Sequence, residues 1–260
     1  MTTPPSFPVG APCWADLWTS DIDGSRRFYG ELFGWEAQAP SEEFGGYFMF
    51  HRDGEPIVGA MGDMGPAMPA NNTWKVYLST GDIDGVVGAV SASGGEVLAP
   101  AMQVADLGFN AVFSDSTGAA LGAWQPETFA GFSAVDVPGA PSWFELLTRD
   151  YAAATSFYAE VFSWTTEVVA DTEEFRYSTA SHPETGLPMA GLMDAAAFLP
   201  EGVPSHWVFY VEVDDVDTTV ALATSLEGTV LDGPSDTPYG RIAQLTDPAG
   251  AMFKVRTKPS

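Results

Sequence analysis

The chain is poor in the residues that build the commonest reactive centres. Its 260 residues include one cysteine, Cys13, and three histidines, His51, His182 and His206. A single thiol excludes an intrachain disulfide and a thiolate metal cluster. A catalytic thiolate needs a base beside it, so Cys13 is expected as a small buried residue. Basic residues are also scarce: 10 Lys and Arg stand against 35 Asp and Glu, a formal charge of -25. Such a field repels phosphate backbones and anionic lipid, which argues against nucleic acid and membrane as partners. No run approaches the roughly 20 apolar residues that cross a bilayer. The opening MTTPPSFPVGAP has neither the charged start nor the apolar stretch of a secretory leader. A reducing cytoplasm is the expected location.

What the chain does have is apolar and aromatic matter, 45% and 13% of its residues, enough for sizeable cores. It also repeats itself. FYGELFGW (28–35) returns as FYAEVFSW (157–164). The match extends without gaps from PCWADLWTSDIDGSRRFYGELFGW (12–35) to PSWFELLTRDYAAATSFYAEVFSW (141–164). TWKVYLSTGDIDGVV (73–87) matches HWVFYVEVDDVDTTV (206–220), and GFNAVFSDSTGA (108–119) matches GRIAQLTDPAGA (240–251). Three segments in the same order at nearly constant offset indicate a duplicated domain. QPETFAGFSAVDVPGAP (125–141) carries three prolines and two glycines without periodicity and reads as the junction. The expected division is a tail over 1–11, a first domain over 12–126, a linker over 127–140 and a second domain over 141–257.

Within one copy, strand and helix periods alternate. CWADLWT (13–19) reads as a strand, and Ser20 or Asp21 can cap the helix that follows. Ile22, Phe28, Tyr29, Leu32 and Phe33 give that helix an apolar stripe, and Gly34 suits its exit. GYFMFHRDGEPIVGAMGDM (46–64) reads as a hairpin turning at Asp53-Gly54. The order then repeats: strand TWKVYLS, a helix capped by Asp82, a break at Gly94-Gly95, and short strands up to LGAWQ with a turn over 115–118. Each copy is therefore two β-α-β-β-β units. The Phe28-Tyr29 and Phe157-Tyr158 pairs are expected in the core between helix and sheet.

These features resemble the vicinal oxygen chelate superfamily, the group of glyoxalase I, bleomycin-resistance proteins and extradiol dioxygenases. The residues that carry the resemblance are FYxxxF[GS]W on the helix, W-x-x-Y-[LV]-x-[TV]-x-D-[IV]-D opening the second unit, and D-[SP]-x-G before the last strand. They cover about 12–125 and 141–256, and look most like a tandem glyoxalase-like actinobacterial branch. The resemblance implies an α+β fold of tandem duplicated domains, each two paired β-α-β-β-β modules with sheets curled into a cup. It also implies a divalent metal held by His, Glu or Gln inside the cup. There the ion would grip neighbouring substrate oxygens and stabilise a developing enolate. The corresponding positions are Trp14, Lys75 and Gly122 in copy one and Trp143, Val208 and Lys254 in copy two. None is a metal ligand, so no cofactor is expected, and a metal would need displaced ligands. A register slip of two would offer Asp16, Glu145 or His206, whereas a slip of one would turn the side chain to the other face.

Strand alternation lists what should share the cup face instead. Trp14, Asp16, Trp18, Lys75, Tyr77 and Trp124 belong to copy one, Trp143, His206 and Lys254 to copy two. All are candidates for ligand binding. Glu145 and Tyr210 are the candidate acid/base pair, since apolar walls raise a carboxyl's pKa. Glu145 and Lys254 could equally form a buried ion pair. Two Met- and Pro-bearing segments, 61–72 and 193–206, could cover the cups or simply link units. The expected activity is binding of a small aromatic or apolar molecule without the usual metal. A glyoxalase-like lyase, isomerase or oxygenase is the alternative, and a regulatory module docking a protein partner is the second alternative. The chain already holds four units that others assemble by dimerising, which favours a monomer.

Overall fold

The computed structural model describes residues 7–65, 69–172, 174–182 and 186–258. The first unit of copy one contains β1 (Pro12–Trp18), α1 (Ile22–Phe33), β2 (Glu36–Ala37), β3 (Phe48–Arg52) and β4 (Glu55–Met61). The second contains β5 (Thr73–Ser79), α2 (Ile83–Ala92), β6 (Glu96–Val104), β7 (Gly108–Ser114) and β8 (Ala120–Pro126). Copy two repeats the series as β9 (Pro141–Thr148), α3 (Tyr151–Phe162), β10 (Thr165–Asp171), β11 (Arg176–Ser181) and β12 (Pro188–Asp194). It ends with β13 (His206–Glu212), α4 (Val216–Ser225), β14 (Thr229–Thr237), β15 (Gly240–Thr246) and β16 (Met252–Arg256). The fold is α+β, with duplicated halves of paired β-α-β-β-β modules.

The helices start where a carboxylate can take an orphan backbone N–H. Asp21, Asp82, Asp150 and Asp215 each accept from the amide three residues on, at 2.7–3.0 Å. Gly34 closes α1 in the left-handed conformation, and Ser163 does the same for α3. The hairpin turn also falls where expected: Asp53 and Gly54 both have positive φ between β3 and β4.

Each copy forms one eight-stranded mixed sheet that stays open. The orders are β2-β3-β4-β1-β5-β8-β7-β6 and β10-β11-β12-β9-β13-β16-β15-β14. Each helix joins its leading strand to an antiparallel meander, whose last strand returns parallel to the leading one: β1 with β4, β5 with β8, β9 with β12, β13 with β16. Along β1 the alternation is clear. Cys13, Ala15 and Leu17 are fully buried, while Asp16 and Trp18 on the other side are only part-buried.

Contacts divide the chain into two compact units that do not follow chain order. One comprises Met1–Trp14, Val76–Gly131 and Trp143–Val208, the other Ala15–Lys75, Phe132–Ser142 and Phe209–Ser260. Each therefore combines a module from one copy with a module from the other. The repeated phrases explain how each unit is held. In the second unit Tyr29 of α1 is fully buried, accepts from Trp74 Nε1 at 3.1 Å and donates to Asp247 Oδ2 at 3.1 Å. Asp247 belongs to the D-P-A-G turn between β15 and β16, and its Oδ1 accepts from Ala251 N at 2.8 Å. In the first unit Tyr158 of α3 accepts from Trp207 Nε1 and donates to Asp115 Oδ2, both at 2.9 Å. Asp115 Oδ1 ties its own D-S-T-G turn through Thr117 and Ala119. So FY on the helix, W on the second leading strand and D in the last turn form one Trp–Tyr–Asp chain, written twice. Burial pushes both phenols well above their ordinary range, with the nearby carboxylate adding to it, so both remain hydroxyls that can donate.

Candidate functional site

A part-buried polar cluster on a sheet face lies in the second unit and is built from β1, β4, β5 and the start of β3. Asp16 stands opposite Gly59 in the parallel pairing of β1 with β4, and Trp18 opposite Met61. Tyr47, just before β3, donates its hydroxyl to Asp16 Oδ1 at 2.8 Å. Gly59 makes this bond possible. A Cβ there would lie 2.0 Å from the Tyr47 hydroxyl and 2.1 Å from Asp16 Oδ1. Lys75, on β5, places its ammonium 4.9 Å from the centre of the Trp18 ring. That is a cation–π contact. Trp18 is itself fixed by a 2.9 Å bond from Nε1 to the Gly62 carbonyl. Burial lowers the Lys75 pKa, against the pull of the Asp16 charge. Asp16, Trp18, Tyr47 and Lys75 are all part-buried.

The remaining aromatic candidates of copy one are more enclosed. Trp14, Tyr77 and Trp124 are 5%, 6% and 8% exposed. Phe129, from the junction segment, packs edge-on against Trp14 at 4.8 Å and against Trp124 at 6.1 Å. The Trp124 indole donates to the Phe129 carbonyl at 2.8 Å. Tyr77 lies over Gly122, where a Cβ would come within 2.2 Å of the ring. These side chains fill space as well as line it.

In copy two, Glu145 is buried on β9 opposite Gly191 of β12. Trp143, part-buried beside it, donates to the Tyr177 hydroxyl at 3.0 Å. Tyr177 covers Gly191 as Tyr47 covers Gly59. His206 opens β13, and its Nδ1–H donates to the Pro204 carbonyl at 2.9 Å. Tyr210 accepts from Lys254 Nζ at 3.0 Å, with the ammonium also 4.9 Å from the ring centre. Arg256, at the end of β16, donates to Asp136 Oδ1 of the junction segment at 3.2 Å rather than facing outward. It donates to Ser142 Oγ and to the Ser142 carbonyl at 2.9 Å and pairs with Glu212 at 3.4 Å.

Sequence reasoning passed over Tyr47, Tyr177, Gly59, Gly191 and Phe129. The tyrosines and glycines carried a signal, because each recurs in the second copy at the repeat's spacing. Phe129 carried none, lying in a segment without periodicity. Of the two possible covering segments, residues 66–68 of the first lie outside the described residues. The second is pinned by Arg149, whose guanidinium donates to the carbonyls of Val203 at 2.7 Å and Leu199 at 3.1 Å. Cys13 is fully buried and its thiol is pushed far above the ordinary range.

The residues that the resemblance puts at the cation positions, Trp14, Lys75, Gly122, Trp143, Val208 and Lys254, carry indole, ammonium, hydrogen and alkyl groups. Among the described residues, no group of three or more His, Cys, Asp or Glu is placed to hold a metal. Nor is any described helix long and apolar enough to cross a membrane.

Comparison with known proteins gives consistent matches. The sequence model of the Glyoxalase/Bleomycin resistance protein/Dioxygenase superfamily matches residues 140–255. CFP32 of Mycobacterium tuberculosis, whose name carries the word glyoxylase, is 38% identical over 253 residues, covering 95% of this chain and 94% of the relative. Anthracycline biosynthesis protein DnrV of Streptomyces peucetius is 36% identical over 264 residues, covering 96% and 94%. Among solved structures, the 2,3-dioxygenase LapB from Pseudomonas sp. KL28 superposes with a TM-score of 0.66 at 15% identity, over 97% of this chain and 94% of that one. The Mn(II)-bound glyoxalase from Novosphingobium aromaticivorans gives 0.63 at 16% identity, over 96% and 82%. At such identities the structural matches speak for the fold alone.

Proposed function

Since the chain belongs to the glyoxalase/bleomycin resistance protein/dioxygenase superfamily, we propose that it binds a small planar aromatic molecule at Asp16, Trp18, Tyr47 and Lys75. We further propose that it does so without a divalent cation. The observation that carries this reading is the composition of the cluster. One part-buried indole offers a stacking face, and a carboxylate–phenol pair and an ammonium lie around it. A flat ring stacks on the indole while the polar groups meet oxygens at its edge. The name of DnrV supports the aromatic class, since an anthracycline is a fused-ring aromatic edged with carbonyl and hydroxyl groups. The charge of -25 disfavours polyanionic ligands.

Titration of the purified chain with a hydroxyanthraquinone, followed by tryptophan fluorescence before and after chelator treatment, tests the proposal. Saturable quenching that survives chelation, and that weakens about tenfold or more in Trp18→Ala as expected for a lost stacking anchor, supports it. Absence of saturation, or binding restored only by a stoichiometric metal, overturns it.

A further inference from the structure

Lys75 is chemically out of place for a mere orienting cation. An ammonium has three donors, yet its neighbours here are the Trp18 ring and the Asp16 charge, and no described side chain or carbonyl accepts a hydrogen bond from it. Asp16 already receives the Tyr47 hydroxyl on Oδ1. The result is an amine backed by an aromatic wall with an acid–base pair in its neighbourhood. Taking the binding site proposed above as its premise, the geometry points to Lys75 as a nucleophile that captures a carbonyl group of the bound ligand as an imine. The ligand class narrows accordingly to planar aromatics bearing an aldehyde or ketone.

The step balances without oxidant or reductant. The neutral Nζ lone pair attacks the carbonyl carbon, and the carbonyl oxygen takes a proton to give a carbinolamine. The C–O bond then breaks, the oxygen leaves as water with a second proton, and nitrogen closes the C=N bond while shedding its own proton. Asp16 is the acceptor for the protons nitrogen loses, and the Tyr47–Asp16 pair returns them to the departing oxygen. A lysine in a desolvated setting spends more of its time as the free amine that this attack needs. The lowered Lys75 pKa agrees with that.

The composition makes the test sharp, because the chain has only three lysines, Lys75, Lys254 and Lys258. The full chain is incubated near neutral pH with 2-hydroxy-1-naphthaldehyde and cyanoborohydride, and the adduct is mapped by peptide mass spectrometry. Binding of the hydroxyanthraquinone is measured in parallel on the same preparations. The expected result is one dominant adduct on Lys75, formed at least about tenfold faster than on exposed Lys258. Lys75→Met and Lys75→Arg should each abolish that adduct. At saturating aldehyde, Tyr47→Phe should slow formation of the Lys75 adduct. Adducts spread evenly over the lysines, with quinone binding intact, would overturn the imine and leave the binding site standing. Loss of quinone binding in the unmodified protein would instead defeat the premise.

Discussion

Removing the hydroxyl of Tyr158 tests whether the Trp–Tyr–Asp chain holds its unit together. Phe retains the ring, which stacks on Trp164 at 4.7 Å and meets Phe157 and Trp207 edge-on, so no cavity larger than an oxygen is created. Two buried groups lose their partner. The Trp207 indole N–H loses its 2.9 Å acceptor, and Asp115 Oδ2 loses its 2.9 Å donor. Asp115 keeps the three bonds on Oδ1 to Thr117 and Ala119, so its turn survives. An orphaned neutral donor costs about 1–3 kcal/mol and a charged acceptor somewhat more, so a total near 3–4 kcal/mol is expected. For a chain of this length each kcal/mol moves the melting temperature by about 2–4 °C, giving a fall of roughly 6–16 °C. Calorimetry of Tyr158→Phe beside Tyr29→Phe reads this directly, and the two should fall within the same range. A shift below about 2 °C in either variant would show that the hydroxyl is not the linchpin of its unit, and the account of the repeated phrase would fail.

Gly59→Ala should weaken binding at the candidate site about tenfold or more while costing only about 1 kcal/mol of stability, since the part-buried Tyr47 can swing outward. Gly122→Ala is the contrast: it meets the enclosed Tyr77 ring, so denaturant titration should show a loss of about 1–3 kcal/mol. Lys75→Met should raise the melting temperature at neutral pH. Because the folded chain holds the Lys75 proton less tightly than the unfolded chain, whose value is 10.5, the wild type should close the gap as pH rises toward 10.5. A gap that widens with pH would contradict the burial argument. Asp247 is shifted the other way, raised above 3.8 chiefly by burial, so its contribution is present at or below that pH and is lost as the group ionises in the fold. Denaturation of Asp247→Asn should accordingly show a flatter stability profile than the wild type just above pH 3.8.

Much of the fold could be read from single residues. Asp21, Asp82, Asp150 and Asp215 announce helix starts because a short carboxylate satisfies first-turn amides wherever it stands, and Asp53-Gly54 announces its turn for an equally local reason. The candidate face was only half legible. Alternation along β1 placed Asp16 and Trp18 on one side because that rule needs no partner strand. Tyr47 was missed because its relation to Asp16 depends on the register of β3 on β4 and on the gap left by Gly59. Both are properties of pairing across some 30 residues rather than of any window. The compact units were illegible for the same reason. Tyr29 and Asp247 stand 218 positions apart, and a helix stripe says that it needs a partner without saying which.

The duplication kept one part of the face and rearranged another, and a single substitution pair accounts for the rearrangement. A carboxylate facing a glycine covered by a tyrosine recurs as Asp16, Gly59 and Tyr47, then as Glu145, Gly191 and Tyr177. The lysine does not recur in place: copy one has Lys75 on β5 and Gly122 on β8, while copy two has Val208 on β13 and Lys254 on β16. Gly122 leaves the space into which Tyr77 lies down against its strand, since any Cβ would come within 2.2 Å of that ring. With Lys254 at the matching point, Tyr210 cannot take that pose and instead meets the ammonium with both hydroxyl and ring, at 3.0 and 4.9 Å. Lys254 thus has the Tyr210 hydroxyl as an acceptor, whereas the neighbours of Lys75 are the Trp18 ring and the Asp16 charge. The same fold sets its two strand lysines in different surroundings, and the residue across the parallel strand pair, Gly122 opposite Tyr77 or Lys254 opposite Tyr210, marks the difference.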